Sequence, residues 1–261
     1  SDRMDRTGVG TRAIFGRQLR FDLRMGFPAI TTKKLAFKSE VGELIGFIRG
    51  YDNAAQFRAL NCRIWDQNAN ENAQWLANPH RKGVDDLGQI YGVQWRRLQM
   101  PDGSTHDQLA DLINKIKTSP SDRRLIVWAY NPAQLNMMAL PPCHMGWQNY
   151  VDGENLSLMM TIRSQDLFLG ASFNVASYAL LTHMLAQVCG LKARELIINL
   201  GDAHIYNNHV AQVKEQLRRE PLPLPSLWLD QEVTEIDKFE PEHIQLMNYQ
   251  SHESIKAPMA V

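Results

Sequence analysis

The sequence predicts a mixed α/β (α+β) fold, a mixed β-sheet packed with helices, in a single domain spanning residues 1–261. Short apolar runs bounded by turn residues are interspersed with longer stretches of helical periodicity, without the regular alternation of a doubly wound sheet. No Gly/Ser linker, repeat or charge run divides the chain. A chain of this length removes roughly 70–75% of its unfolded surface on folding, enough for one large core.

In chain order, Val41, Leu44, Ile45 and Ile48 share one face at helical spacing, which predicts a helix over 39–49. Leu109, Leu112, Ile113 and Ile116 do the same over 106–117. Leu125 to Tyr130 is a buried strand that Pro132 closes. Tyr150-Val151 and Leu156 to Ile162 flank Asp152-Gly153, a strong hairpin signal. Phe173 to Val188 is an apolar helix with Gly190 placed to cap its end. Leu196 to Leu200 is a strand, Gly201 to Tyr206 the loop after it, and a helix follows to about Arg219. Pro221, Pro223 and Pro225 then enforce extended chain.

Lys and Arg (28) balance Asp and Glu (28), so no global field draws the chain to a polyanion. With no basic, aromatic-interleaved stripe either, nucleic acid is not expected as the main partner. No apolar run approaches the roughly 20 residues of a membrane span. Three cysteines, Cys62, Cys143 and Cys189, point to thiols in a reducing compartment, and the expected location is the cytoplasm. No metal is expected, since His204 and His209 lie off one-turn spacing and the other histidines are scattered.

Three segments gather polar chemistry beside structure-breaking residues. In Pro141-Pro142-Cys143-His144 two prolines fix the approach to a thiol, although a lone cysteine is more often a buried structural one. Arg163-Ser164-Gln165-Asp166-Leu167-Phe168-Leu169-Gly170-Ala171-Ser172-Phe173-Asn174 sets a cation, hydroxyl, carboxylate and amide around a glycine. An arginine fork with a hydroxyl suits phosphate, and an amide suits a base edge; a surface turn with a helix cap is the plainer reading. Gly201-Asp202-Ala203-His204-Ile205-Tyr206 offers His204 and Tyr206 to one ligand, or to the interior. Arg123 and Arg124 precede a strand, Arg6 lies at the root of the glycine-rich Asp5–Thr11 segment, and Glu43 sits in an apolar helical stretch where burial would raise its pKa.

In their order along the chain, Asp5–Thr11, Thr31-Thr32-Lys33-Lys34, Ile64-Trp65-Asp66, Tyr91-Gly92-Val93-Gln94-Trp95-Arg96, Ser121–Arg124, Ala139–His144, Arg163–Asn174, Gly201–Tyr206 and the closing Lys256-Ala257-Pro258-Met259-Ala260-Val261 resemble the folate-dependent thymidylate synthase family. The resemblance implies a thymidylate synthase-like domain whose sheet forms a homodimer interface. It implies that Cys143 attacks C6 of the uracil of dUMP, and that C5 then takes the methylene of 5,10-methylenetetrahydrofolate, giving dTMP and dihydrofolate. Asn174 would pair with the uracil edge, His144 and Glu43 would organise water near O4, and Tyr91 would help remove the C5 proton. Arg6, Arg163 and Ser164 would hold the phosphate, joined by Arg123 and Arg124 of a second subunit. His204 and Tyr206 would meet the sugar. Asp166 would bind the pterin, with Trp65, Leu169, Gly170 and Phe173 lining the folate pocket and Ala260 closing over it. Nearby arginine charge would lower the pKa of Cys143.

The chain departs from the family pattern at several places. Gln165 replaces a small residue, Ser172 a proline and Gly46 a tryptophan, and the segment from Asn70 to Asp86 is an insertion found in some members. Gly46 and Ser172 are expected to loosen the pocket. A looser pocket keeps open a related outcome, a pyrimidine nucleotide hydroxymethylase acting on dUMP or, less favoured, CMP or dCMP, in which water adds to the methylene adduct and tetrahydrofolate leaves unoxidised.

Overall fold

In the computed structural model, which describes residues 1–4 and 8–258, the hairpin expected at Asp152-Gly153 forms with its turn one residue later. Strands His144–Asp152 and Asn155–Asp166 pair antiparallel with Asp152 opposite Asn155, so Gly153 and Glu154 make the turn. Gly153 has φ +57°, a conformation that glycine adopts without steric cost.

That hairpin forms the fourth and fifth strands of a six-stranded sheet among the described residues. From edge to edge the order is Asp2–Arg3, Thr11–Asp22, Lys192–Tyr206, Asn155–Asp166, His144–Asp152 and Ile126–Trp128. Every pairing is antiparallel except that of Asn155–Asp166 with Lys192–Tyr206. A parallel pair needs a long crossover, and helix Gly170–Val188 supplies it.

The helices read from periodicity are present with shifted ends: Phe37–Ile48, Gln108–Thr118, Gly170–Val188 and Val210–Gln216. The strand read as buried at Leu125 to Tyr130 is instead the edge strand Ile126–Trp128, with Ile126 and Trp128 exposed. Gly201 to Tyr206 is not a loop; strand Lys192–Tyr206 runs through it, because Thr11–Asp22 pairs with it as far as Tyr206. Gly201 and Asp202 look like breakers in isolation, and pairing with a distant segment overrides that local signal.

Leu156, Leu158, Met160 and Ile162 alternate inward, joined by Leu196, Ile198 and Leu200 of the next strand. They pack under Gly170–Val188, whose Tyr178, Leu180, Leu181, Met184 and Leu185 are buried. The opposite sheet face carries Gln148, Tyr150, Ser157, Met159 and Ile197 around a shallow open depression, with Tyr150 68% exposed.

Helix Phe37–Ile48 carries Gly42 and Gly46 one turn apart. A Cβ on Gly42 would lie 2.1 Å from the Leu60 carbonyl oxygen, and one on Gly46 would lie 2.4 Å from the Phe57 ring. The missing side chain at Gly46 is therefore replaced by Phe57, itself fully buried, and the looseness expected there does not exist.

Candidate active site

The parallel strands end side by side, with Ser164 opposite Asp202, Gln165 opposite Ala203 and Asp166 opposite His204. Crevices beyond the carboxyl ends of parallel strands are common ligand sites because loops and helix starts converge there. Cys143 is drawn to this end by its own backbone. The Arg163 N–H donates to the Cys143 carbonyl at 3.0 Å. The Arg163 guanidinium donates through Nε to the Pro142 carbonyl at 2.9 Å and through Nη2 to the Pro141 carbonyl at 3.1 Å. Prolines have no N–H, so their carbonyls are the groups that can tie this segment down. The Asn70–Asp86 insertion braces the same segment, as Asn72 Nδ2 donates to the Ala139 carbonyl at 3.0 Å.

Tyr91 lies in helix Tyr91–Arg97, buried against Phe47, Trp65 and His144. Its phenol oxygen accepts the Cys143 N–H at 2.7 Å. Burial holds the phenol well above its usual pKa, so Tyr91 keeps its proton. Glu43, half-buried, accepts the Trp65 indole N–H at 3.0 Å, and desolvation lifts its carboxyl to about 7. His144 is pushed down to about 4 by desolvation, against the opposing effect of a hydrogen bond to Asn174, and is a neutral imidazole at neutral pH. Trp65, expected at a folate pocket, is itself buried and commits its N–H to Glu43.

The arginine effect expected at the thiol is present but outweighed. Arg163 does pull the Cys143 pKa down, but burial acts more strongly and the net shift is upward. At neutral pH the thiol rests protonated.

Asp166 Oδ1 accepts the N–H groups of Phe168 and Leu169 at 2.8 and 3.3 Å, fixing the turn that starts helix Gly170–Val188. Leu169, Gly170 and Phe173, which follow it in the chain, are each half-buried. Asn174, in the second turn of the helix, donates from Nδ2 to Gln165 Oε1 at 2.9 Å. Ser164 is half-buried next to Arg163. His204 Nδ1 lies 2.9 Å from Asp202 Oδ1, and its ring meets that of Tyr206 edge-on at 5.1 Å.

Two side chains escaped the sequence reading. Lys33 is buried, donates from Nζ to the Phe168 carbonyl and lies 4.1 Å over the Phe168 ring. His209 is fully buried between Phe168 and Tyr206 and its Nε2 lies 2.7 Å from the Pro258 carbonyl oxygen, which brings the C-terminal segment to this corner. Lysine next to threonines and a histidine weighed only as a metal ligand gave no local sign of burial.

Arg123 and Arg124 are exposed on the loop before edge strand Ile126–Trp128, and Arg124 pairs with Asp122 at 3.1 Å. Neither makes a hydrogen bond or ion pair with the Cys143 cluster among the described residues. Arg6 and Ala260 lie outside the described residues. Among the described residues no group of His, Cys, Asp and Glu is arranged to hold a metal, and no helix is long and apolar enough to cross a membrane.

The family model described as "Thymidylate synthase" matches residues 1–261. The chain belongs to the thymidylate synthase family. Two curated relatives, both named thymidylate synthase, from Bordetella parapertussis and Bordetella bronchiseptica, are each 43% identical over 304 aligned residues, covering 98% of this chain and 94% of the relative. Family membership accounts for a mixed sheet packed with helices.

Proposed function

We propose that this chain catalyses reductive methylation of dUMP at C5, giving dTMP and dihydrofolate. The observation that carries this is the hydrogen-bonded unit of Cys143, Tyr91 and Arg163 in a member of the thymidylate synthase family.

Cys143 Sγ attacks C6 of the uracil, and charge moves toward O4. Transient stabilisation of that charge falls to Asn174 and to water ordered by neutral His144 and by Glu43, whose carboxyl near 7 can hold or release a proton at neutral pH. Tyr91, still protonated, positions the Cys143 backbone and orders the water that takes the C5 proton. Arg163 and Ser164, with Arg6, hold the phosphate; His204 and Tyr206 bind the sugar. When bound, 5,10-methylenetetrahydrofolate supplies the methylene and then the hydride. Asp166 fits its pterin as a carboxylate held at a fixed turn, and the half-exposed Leu169, Gly170 and Phe173 fit a flat apolar ring, with Trp65 behind Glu43 and Ala260 closing over them.

The protein acts as one catalytic domain in a cytoplasmic homodimer. The exposed sheet face around Tyr150 is the contact, and Arg123 and Arg124 complete the partner's phosphate site; their exposure on the loop before the edge strand supports that assignment. The hydroxymethylase alternative is not favoured. It rested on a pocket loosened at Gly46 and Ser172, and at Gly46 Phe57 fills the space.

The deciding experiment is mass spectrometry of the nucleotide made from dUMP and methylenetetrahydrofolate, with identification of the folate released. Thymidylate with dihydrofolate is expected; a hydroxymethyl nucleotide with tetrahydrofolate would overturn the reading.

A further inference from the structure

We propose that Gln165 is a positioning residue for base selectivity: it fixes which end of the Asn174 amide meets the pyrimidine, and so favours uracil over cytosine. This rests on the reading that a pyrimidine nucleotide binds against Asn174. Gln165 stands where the family pattern has a small residue, so the device belongs to this chain.

The two ends of a primary amide have almost the same shape, and only their partners tell them apart. Here the partners form a chain that begins at an unambiguous group. A backbone carbonyl can only accept, and the Asp166 carbonyl lies 3.0 Å from Gln165 Nε2. That contact fixes Nε2 as the donor end and turns Oε1 toward Asn174. Oε1 in turn can only accept, so the Asn174 atom 2.9 Å away is Nδ2.

The lock is sheltered. Gln165 is 3% exposed, so no bulk water competes for its amide. A Cβ on Gly170 would lie 3.0 Å from Gln165 Nε2, so a larger residue there would press on the group that anchors the chain.

Uracil presents an N3–H donor beside an O4 acceptor, whereas cytosine presents an N3 acceptor beside an amino donor. An amide that can turn end over end pairs with either edge. Turning Asn174 would set Oδ1 against Gln165 Oε1, two acceptors face to face in a buried site. Losing that bond and leaving acceptors unpaired disfavours the turned state, and with it cytosine, by roughly ten- to a hundredfold. Asn174 Nδ2 has two protons, so the one given to Gln165 leaves the other for a base oxygen.

The test uses the full chain. Dissociation constants for dUMP and dCMP are measured by calorimetry for the unsubstituted protein, Gln165→Met, which keeps the volume, and Gln165→Ala. The ratio of the dCMP constant to the dUMP constant is expected to fall at least tenfold in both variants. A ratio that holds while both constants weaken together would show a purely structural role and overturn the proposal. A measurement on the unsubstituted protein does not depend on the variants folding. In nucleotide-free ¹⁵N-edited spectra the Asn174 side-chain protons should exchange slowly with solvent, and free exchange would overturn the lock. Failure of the unsubstituted protein to bind dUMP would instead overturn the functional reading, and the inference with it.

Discussion

The Tyr91 phenol oxygen accepts the main-chain N–H of Cys143 at 2.7 Å, joining a helix to a proline-fixed strand entry across 52 residues of sequence. The Cys143 backbone and a phenol that burial keeps protonated are thereby one unit. Replacing Tyr91 by Phe removes the acceptor and leaves a buried N–H without its partner. The expected result is a fall in kcat on the order of a hundredfold, the scale of a lost proton-transfer group, with a smaller change in KM for dUMP. Steady-state kinetics of Tyr91→Phe checks this; parallel losses in kcat and KM would point to simple misplacement of the site.

Cys143 carries opposing influences, burial raising its pKa and Arg163 lowering it. Arg163→Leu removes the opposing cation and should raise the thiol pKa further. The pH dependence of iodoacetamide alkylation, followed by mass spectrometry at Cys143, should shift to higher pH. Cys143→Ala should abolish the covalent complex with 5-fluorodeoxyuridylate and the folate.

Glu43 titrates near 7 in the folded chain against a usual 4.5. The pH profile of kcat/KM should therefore bend near 7 and lose that bend in Glu43→Gln. For stability, the native state keeps a proton between 4.5 and 7 that the unfolded chain has released. This group's contribution is thus lost as pH rises through that window. Denaturant titrations of Glu43→Gln should show a flatter pH dependence there.

Glu40 is fully buried one helical turn before Glu43, and neither carboxyl oxygen has a hydrogen-bond partner. Burial foremost, and then the neighbouring Glu43, raise its pKa well above 4.5. The sign is the same: stability falls as pH climbs above 4.5, by up to about 1.4 kcal/mol per unit until the buried group ionises. Glu40→Leu should raise Tm, by more at pH 8 than at pH 5. A Tm gain independent of pH would mean that Glu40 is not held protonated.

Gly42→Ala tests the close approach of helix Phe37–Ile48 to Leu60. Alanine gains about 1 kcal/mol in helix propensity, yet its Cβ would lie 2.1 Å from a backbone oxygen. The clash should win by roughly 1–3 kcal/mol, measured by chemical denaturation.

Sequence by itself determined the mixed fold, the main helices and the hairpin, because periodicity and turn chemistry are local. Apolar residues at helical spacing, as in Val41, Leu44, Ile45 and Ile48, need no partner segment to be legible. Ordered motif blocks also determined the family and the identity of Cys143, Arg163 and Asn174 as candidates. Only the tertiary structure decided that Gly201–Tyr206 is strand, since its pairing partner lies at Thr11–Asp22. It alone decided that Phe57 occupies the space left at Gly46, that Trp65 holds Glu43, and that burial outweighs Arg163 at the Cys143 thiol. Each of these depends on residues distant in the chain and on the loss of water between them, and neither pairing nor desolvation is written in a local run of residues.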